Sequence, residues 1–231
     1  MAQLKVLSGN GPRASVRALC AQFAQATGHG VELTFEVNPD VVKKGQAGVP
    51  FDVAVGNPST IEQLIASGHV VAASYVAIGS AGLAVGVRAG AASPAIATVE
   101  DFKRTLLAAN KVAFPAHGAS GLYFAGLVDR LGLKEAMQGK LKLKPMPAED
   151  CVEVVARGEA DFVVVVATRM VGVPGIAVAG PLPEALQTII EFAAGMSAAS
   201  REPAAAKALL AFMSAPSAAA TLRANGVAPA H

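Results

Sequence analysis

His117, Ser120 and Asp150 are the polar residues whose positions in this chain invite chemistry. His117 and Ser120 lie in Phe114-Pro115-Ala116-His117-Gly118-Ala119-Ser120-Gly121, a small-residue loop between an apolar strand pattern and a helical one. Asp150 opens a later helix, in Pro147-Ala148-Glu149-Asp150. The first N–H groups of a helix have no intrahelical partner and stand at the positive end of its dipole. An anion is stabilised there by backbone alone. Ser120 has two readings, a cap on its own helix or a ligand contact. His117 is a plain loop residue, or a donor and proton shuttle beside an anion. Asp150 offsets the helix dipole, or acts as general base with His117 if the protein is an enzyme.

Other strand-to-helix exits repeat the pattern. Asn10-Gly11 follows the first strand, Asn38 the second, and Gly56-Asn57 the third. Ala119 and Gly121 flank Ser120. Each asparagine is either a turn residue or a polar contact at a strand's carboxyl end, where open α/β sheets bind ligands. Arg13 is the one cation near these loops. It is either solvated or a paired-bond donor to a carboxylate. Tyr123 reads as core, on the helical pattern with Leu127.

The elements that must carry these residues follow from periodicity. Strands are expected at Leu4–Leu7, Val31–Val37, Asp52–Gly56, Leu83–Val87, from Val112, at Leu141–Leu143 and at Phe162–Val166. Helices are expected from Pro12 to Thr27, Asn38 to Lys44, Thr60 to Ser67, and Thr98 to about Asn110. Further helices run to Leu131, from Pro147 to Arg157, from Pro203 to Ser214 and from Ser217 to Asn225. Val76–Gly82 reads as a Gly/Ser-rich break and Pro174–Pro183 as a turn-rich return. Leu186–Met196 reads as extended. Alternating strands and helices imply mostly parallel sheets flanked by helices. The expected division is one lobe from 1–79 with 192–231, and a second from 80–191.

Composition bounds the function. The 231 residues are 53% hydrophobic and 16% charged, with a net charge of +2 and no basic run, which argues against nucleic acid as a partner. Mean hydropathy is +0.47, yet no apolar run approaches the roughly 20 residues of a membrane span. Cys20 and Cys151 read as two thiols outside any disulfide. No Cys/His cluster has metal-ligand spacing, and Gly79-Ser80-Ala81-Gly82 lacks the lysine of a phosphate loop. No metal or other cofactor is expected. Met1-Ala2-Gln3-Leu4 enters a strand at once. The expectation is a cytoplasmic protein, or a periplasmic one whose leader has been removed.

The ordered motifs Ser8-Gly9-Asn10-Gly11, Val37-Asn38-Pro39-Asp40, Gly48-Val49-Pro50-Phe51-Asp52-Val53, Gly118-Ala119-Ser120-Gly121-Leu122-Tyr123 and Gly158-Glu159-Ala160-Asp161 carry a resemblance over nearly the whole chain. It resembles the type II periplasmic binding proteins, and within them the molybdate-binding branch. The resemblance implies an α/β fold of two lobes joined by two hinge crossovers, with an anion held between helix entrances. It implies ligand contacts at Asn10, Gly11, Asn38, Ser120, Gly121 and the Asp150 region. It also implies an ABC-transporter permease as partner. Two departures bear on the ligand. Val37-Asn38-Pro39 stands where the branch has serines, and Pro39 has no N–H to give. Val166, with Thr168 nearby, stands where the branch has a tyrosine. The implied ligand is a small oxyanion such as molybdate or tungstate, or a small organic carboxylate. One relative of the same fold is an aconitate isomerase, which leaves catalysis on a di- or tricarboxylate as a second function. A cytoplasmic ligand sensor is a third.

Overall fold

Leu4, Val6 and Leu7 are buried in the first strand, β1 (Gln3–Gly9). The computed structural model describes residues 1–144 and 148–230, with side chains at 1–140 and 151–230. The chain forms two compact units, 1–80 with 191–231, and 81–190.

In the first unit, β1 leads into α1 (Arg13–Thr27). Val16, Leu19, Cys20 and Phe23 form its buried stripe. Gly28 closes it in the left-handed region, at φ 73°, which glycine adopts without steric cost. Burial pushes the Cys20 thiol up to about 12, so it stays protonated and inert. Strand β2 (Gly30–Glu36) pairs parallel with β1 and leads into α2 (Asn38–Gln46). Val37, expected as the last strand residue, instead caps α2 with extended backbone. Strand β3 (Val53–Gly56) pairs parallel with β1 on its other side and leads into α3 (Pro58–Ala66). Phe51, Ala54, Ile61, Leu64 and Val41 pack with Leu7 into the core. Buried Asp52 ties the opposite edge of this sheet, accepting from the Lys5 N–H at 2.8 Å and the Ser200 hydroxyl at 2.6 Å.

Strand β4 (Val76–Arg88) is continuous, so the expected break at Val76–Gly82 does not occur. The glycines there mark close approach of neighbours, not an interruption. A Cβ on Gly79 would overlap the Ala228 carbonyl, and one on Gly82 would crowd the Gln187 side chain.

The second unit begins within β4. Helix α4 (Val99–Ala108) starts at Thr98, whose hydroxyl accepts the Asp101 N–H at 3.1 Å and donates to Asp101 Oδ2 at 2.7 Å. The Thr98 hydrogen bond, then Arg104, holds the Asp101 carboxyl below its ordinary value. Such a group stabilises the fold above its unfolded pKa, and that contribution is lost as pH falls through the depressed folded value. Thr98→Ala should therefore lower the urea midpoint at pH 7, and the gap to wild type should shrink below the ordinary carboxylate range. Urea titrations at pH 7 and pH 3 check this.

Strand β5 (Val112–Pro115) leads into α5 (Ala119–Arg130), with Phe114 edge-on to Phe124 at 5.1 Å. Strand β6 (Leu141–Lys144) pairs parallel with β5, and α6 (Ala148–Ala156) follows. Strand β7 (Phe162–Val166) is buried along its length, parallel to β5 and antiparallel to β4. It exits into one 3-10 turn, Ala167–Arg169. Strand β8 (Ile176–Pro181) lies within Pro174–Pro183, the segment expected as turns, and pairs antiparallel with β4. Its residues are half-buried or exposed, so they lack the apolar alternation that marks a strand.

The chain returns to the first unit through β9 (Ile189–Met196), which pairs antiparallel with β3. Helix α7 (Pro203–Ser214) then places Phe212 edge-on to Phe23 at 5.7 Å. The last expected helix starts with a 3-10 turn, Pro216–Ala218, before α8 (Ala219–Ala224). Strand β10 (Ala228–Pro229) pairs with Ser80 and Gly79 of β4. Among the described residues no single helix is long and apolar enough to cross a membrane. Helix α7 and Pro216–Ala224 reach that length only together, bent by 59°.

Candidate functional site

The first unit carries three helix entrances along one sheet edge, because β1, β2 and β3 are parallel and each runs directly into α1, α2 or α3. None of the three has a side-chain cap. Helices α1 and α3 have no acidic residue in the first turn, while α2 has Asp40. The entrances elsewhere differ. Helix α4 is capped by Thr98 and carries Glu100 and Asp101, and α7 is preceded by Glu202. A helix start ordinarily draws negative side chains to its positive end. At α1 and α3 that end is left to backbone N–H groups.

Asn10 and Gly11 form the β1 exit. The Asn10 N–H donates to the Glu36 carbonyl at 2.9 Å. Gly11 lies on the buried Phe192 ring, where an added Cβ would come within 2.8 Å of Cε1. Asn38 and Asn57 join the second and third exits, with the Asn38 amide donating to Asn57 Oδ1. Asn57 therefore does not cap α3 through its side chain, although it holds the N-cap position. A Cβ on Gly9 would overlap Asn38 Oδ1, and one on Gly56 would come within 3.2 Å of it. Both glycines thus make room for the Asn38 carboxamide. Asn38 Oδ1 is buried and has no donor among the described residues. A buried acceptor in that state costs about 1–3 kcal/mol. Arg13 has its guanidinium 4.9 Å from the centre of the Phe35 ring, and Arg17 lies 5.5 Å from the same ring. Arg13 is thus held on edge strand β2 by a cation–π contact.

The second unit repeats the arrangement at the β5 exit. Gly118, at φ 90°, occupies the cap position of α5. Ser120, read as a possible cap, is instead the second helical residue and is buried. The entrance has no side-chain cap and no acidic residue in its first turn. Ala119 and His117 are exposed. Gly121 is buried against Pro115, whose carbonyl oxygen an added Cβ would overlap. Tyr123 is half-buried, and its hydroxyl donates to the Leu186 carbonyl at 3.1 Å while Arg130 lies over its ring. Asp150 belongs to α6, but its side chain lies outside the described residues, as does any pairing with His117. Thr168 is buried in the turn that ends β7, and Arg169 beside it is 6% exposed. Sequence reasoning passed over Arg169. Its only signal was a cation three residues beyond a five-residue apolar strand.

Cys20 and Cys151 are both buried and not disulfide-bonded. Among the described residues no three His, Cys, Asp or Glu side chains converge as a metal site would require.

A family model described as bacterial extracellular solute-binding protein matches residues 4–228. A Pseudomonas sp. protein named aconitate isomerase is 32% identical over 234 residues, covering 98% of this chain and 87% of the relative. The Azotobacter vinelandii periplasmic molybdate-binding protein superposes with a TM-score of 0.82 at 20% identity, covering 99% of this chain and all of that one. The sulfate-binding protein of Mycobacterium tuberculosis H37Rv gives 0.77 at 17% identity, covering all of this chain and 88% of that one. These structural likenesses show the fold, that of the type II periplasmic binding proteins.

Proposed function

We propose, from the premise that the chain belongs to the bacterial extracellular solute-binding protein family, that it binds a small organic anion bearing two or three carboxylates. The observation behind this reading is the contrast among helix entrances. Helices α1, α3 and α5 leave parallel strands with neither a cap nor an acid in the first turn, whereas α4 has both. These entrances offer backbone N–H donors and a positive dipole end to a carboxylate, fewest at α3, where Pro58 has no N–H and the Thr60 N–H already donates to the Asn57 carbonyl at 2.9 Å. The contacts we assign are Asn10, Gly11, Asn38, Gly56 and Asn57 in the first unit, and Ser120, Gly121 and Thr168 in the second.

Carboxylate is favoured over metal oxyanion by the relatives. The relative named for aconitate is 32% identical, whereas the molybdate and sulfate binders are at 20% and 17%. The departures at Pro39 and Val166 point the same way. The role that fits such binding in this family is delivery of the anion to an ABC-transporter permease. A thermal-shift panel tests the ligand class. At 100 times its Kd, a ligand adds about 2.7 kcal/mol, or roughly 5–10 °C for a chain of this size. We expect that shift with cis- or trans-aconitate and none with molybdate, tungstate or sulfate. A shift with molybdate or tungstate alone would overturn the carboxylate assignment.

The 32% identity to a protein named aconitate isomerase favours one second reading, catalysis on the bound anion. Interconverting cis- and trans-aconitate needs a base that takes a proton from the methylene carbon and an acid that returns one at the far end of the allylic system. No net oxidation occurs. His117, exposed at the α5 entrance, is the group we assign to that transfer. NMR of either isomer incubated with the protein decides the matter. Interconversion that is lost in His117→Ala supports catalysis, and unchanged spectra support binding alone.

A further inference from the structure

We propose that Arg169 is the specificity-determining residue of the second unit, receiving one carboxylate of the ligand beside Thr168 and Ser120. This rests on the carboxylate reading above. Among the described residues Arg169 is the one basic side chain that is more than nine-tenths buried, at 6% exposed. Burying a guanidinium costs several kcal/mol unless its donors meet acceptors, whether of the chain or of a ligand. The fold places it where ligands bind. Strands β5 and β7 are parallel neighbours, with Val112 opposite Phe162 and Ala113 opposite Val163. Their exits, 116–118 and 167–169, therefore leave the same edge of the same sheet side by side. The buried polar side chains of this unit are Ser120, Thr168 and Arg169, among the described residues: Thr168 and Arg169 lie in the β7 exit, and Ser120 in the first turn of the helix that the β5 exit opens.

The exits differ in how they can meet an anion. Strand β5 runs into a twelve-residue helix, whose dipole and free N–H groups supply positive potential without a charged side chain. Strand β7 runs into a single 3-10 turn of three residues, too short to develop that potential. A cationic side chain at the end of that turn supplies what the backbone cannot. The guanidinium is planar and carries five donors in a fixed fork. It can hold an acceptor of the chain and still present a paired edge to a planar carboxylate.

The test uses the intact chain and two ligands, trans-aconitate with three carboxylates and itaconate with two, titrated by calorimetry into wild type, Arg169→Gln and Arg169→Lys. Wild type should bind the tricarboxylate at least 10-fold tighter. Arg169→Gln should weaken trans-aconitate roughly 100-fold while weakening itaconate less than 5-fold, closing the gap. Arg169→Lys keeps charge but loses the fork and should recover part of the loss. If Arg169→Gln fails to fold, Arg169→Lys alone decides, with an expected loss near 10-fold for trans-aconitate only. Equal loss for both ligands, or no loss, would show that Arg169 is a packing residue and overturn the proposal. Wild type that binds neither ligand would instead overturn the carboxylate reading on which it stands.

Discussion

Asn57→Asp should weaken anion binding severely while leaving the fold nearly as stable as wild type. Asn38 donates its amide to Asn57 Oδ1, and an aspartate at 57 still offers that acceptor. The added negative charge also sits at the α3 entrance, where the dipole favours it. The same charge repels a ligand carboxylate at that entrance and competes with it for the N–H groups. We expect a loss of roughly 100-fold in affinity, about 2.8 kcal/mol, by calorimetry. Asn38→Asp makes the complementary case. It places two acceptors face to face, so it should lose affinity and also lower the melting temperature. If only Asn38→Asp weakens binding, the pair is a structural brace and not an anion contact.

The second large effect concerns stability within one helix. Gly121 and Gly126 both lie in α5, yet alanine should act oppositely at the two positions. At 121 an added Cβ would overlap the Pro115 carbonyl oxygen, a backbone atom that cannot step aside without moving the β5 exit. Overpacking of this kind costs about 1–3 kcal/mol, and the upper end applies because the obstacle is backbone. At 126 the nearest atom is Arg130 Nη1 at 3.5 Å, an ordinary contact with the end of a flexible side chain. There alanine should raise stability by about 0.5–1 kcal/mol by restricting the unfolded chain and favouring helix. Urea denaturation of both variants checks the pair, and destabilisation at both positions would contradict the packing described at the α5 start.

The same stretch shows what a sequence discloses and what it withholds. Val112–Pro115 and the helix after it were legible because three apolar residues, then a proline and small residues, leave few alternatives. Thr98 with Asp101 was legible because a capping motif is local. The α5 cap was misplaced, since whether Gly118 or Ser120 starts the helix depends on a positive φ that no pattern announces. The Val76–Gly82 break was wrong for a related reason. Glycines that admit the Ala228 backbone and the Gln187 side chain look, in sequence, like glycines that end a strand. Strand β8 was missed because its pairing with β4 is a tertiary fact, and half-exposed residues carry little periodicity.

The candidate site was legible as a set of strand-to-helix exits, because such exits are read from element order alone. Their chemistry was less so. That α1, α3 and α5 are uncapped while α4 is closed requires the hydrogen bonds. The Asn38–Asn57 pair joins residues 19 positions apart on different strand exits. Burial of Arg169 follows from how the turn after β7 packs, and arginine is a residue that sequence alone assigns to the surface.

The most direct measurement is a calorimetric titration of trans-aconitate into the wild-type chain and into Asn57→Asp. Wild type should show saturable one-to-one binding, and the variant roughly 100-fold weaker binding. No heat with wild type, or equal affinity in both, would contradict the proposed site.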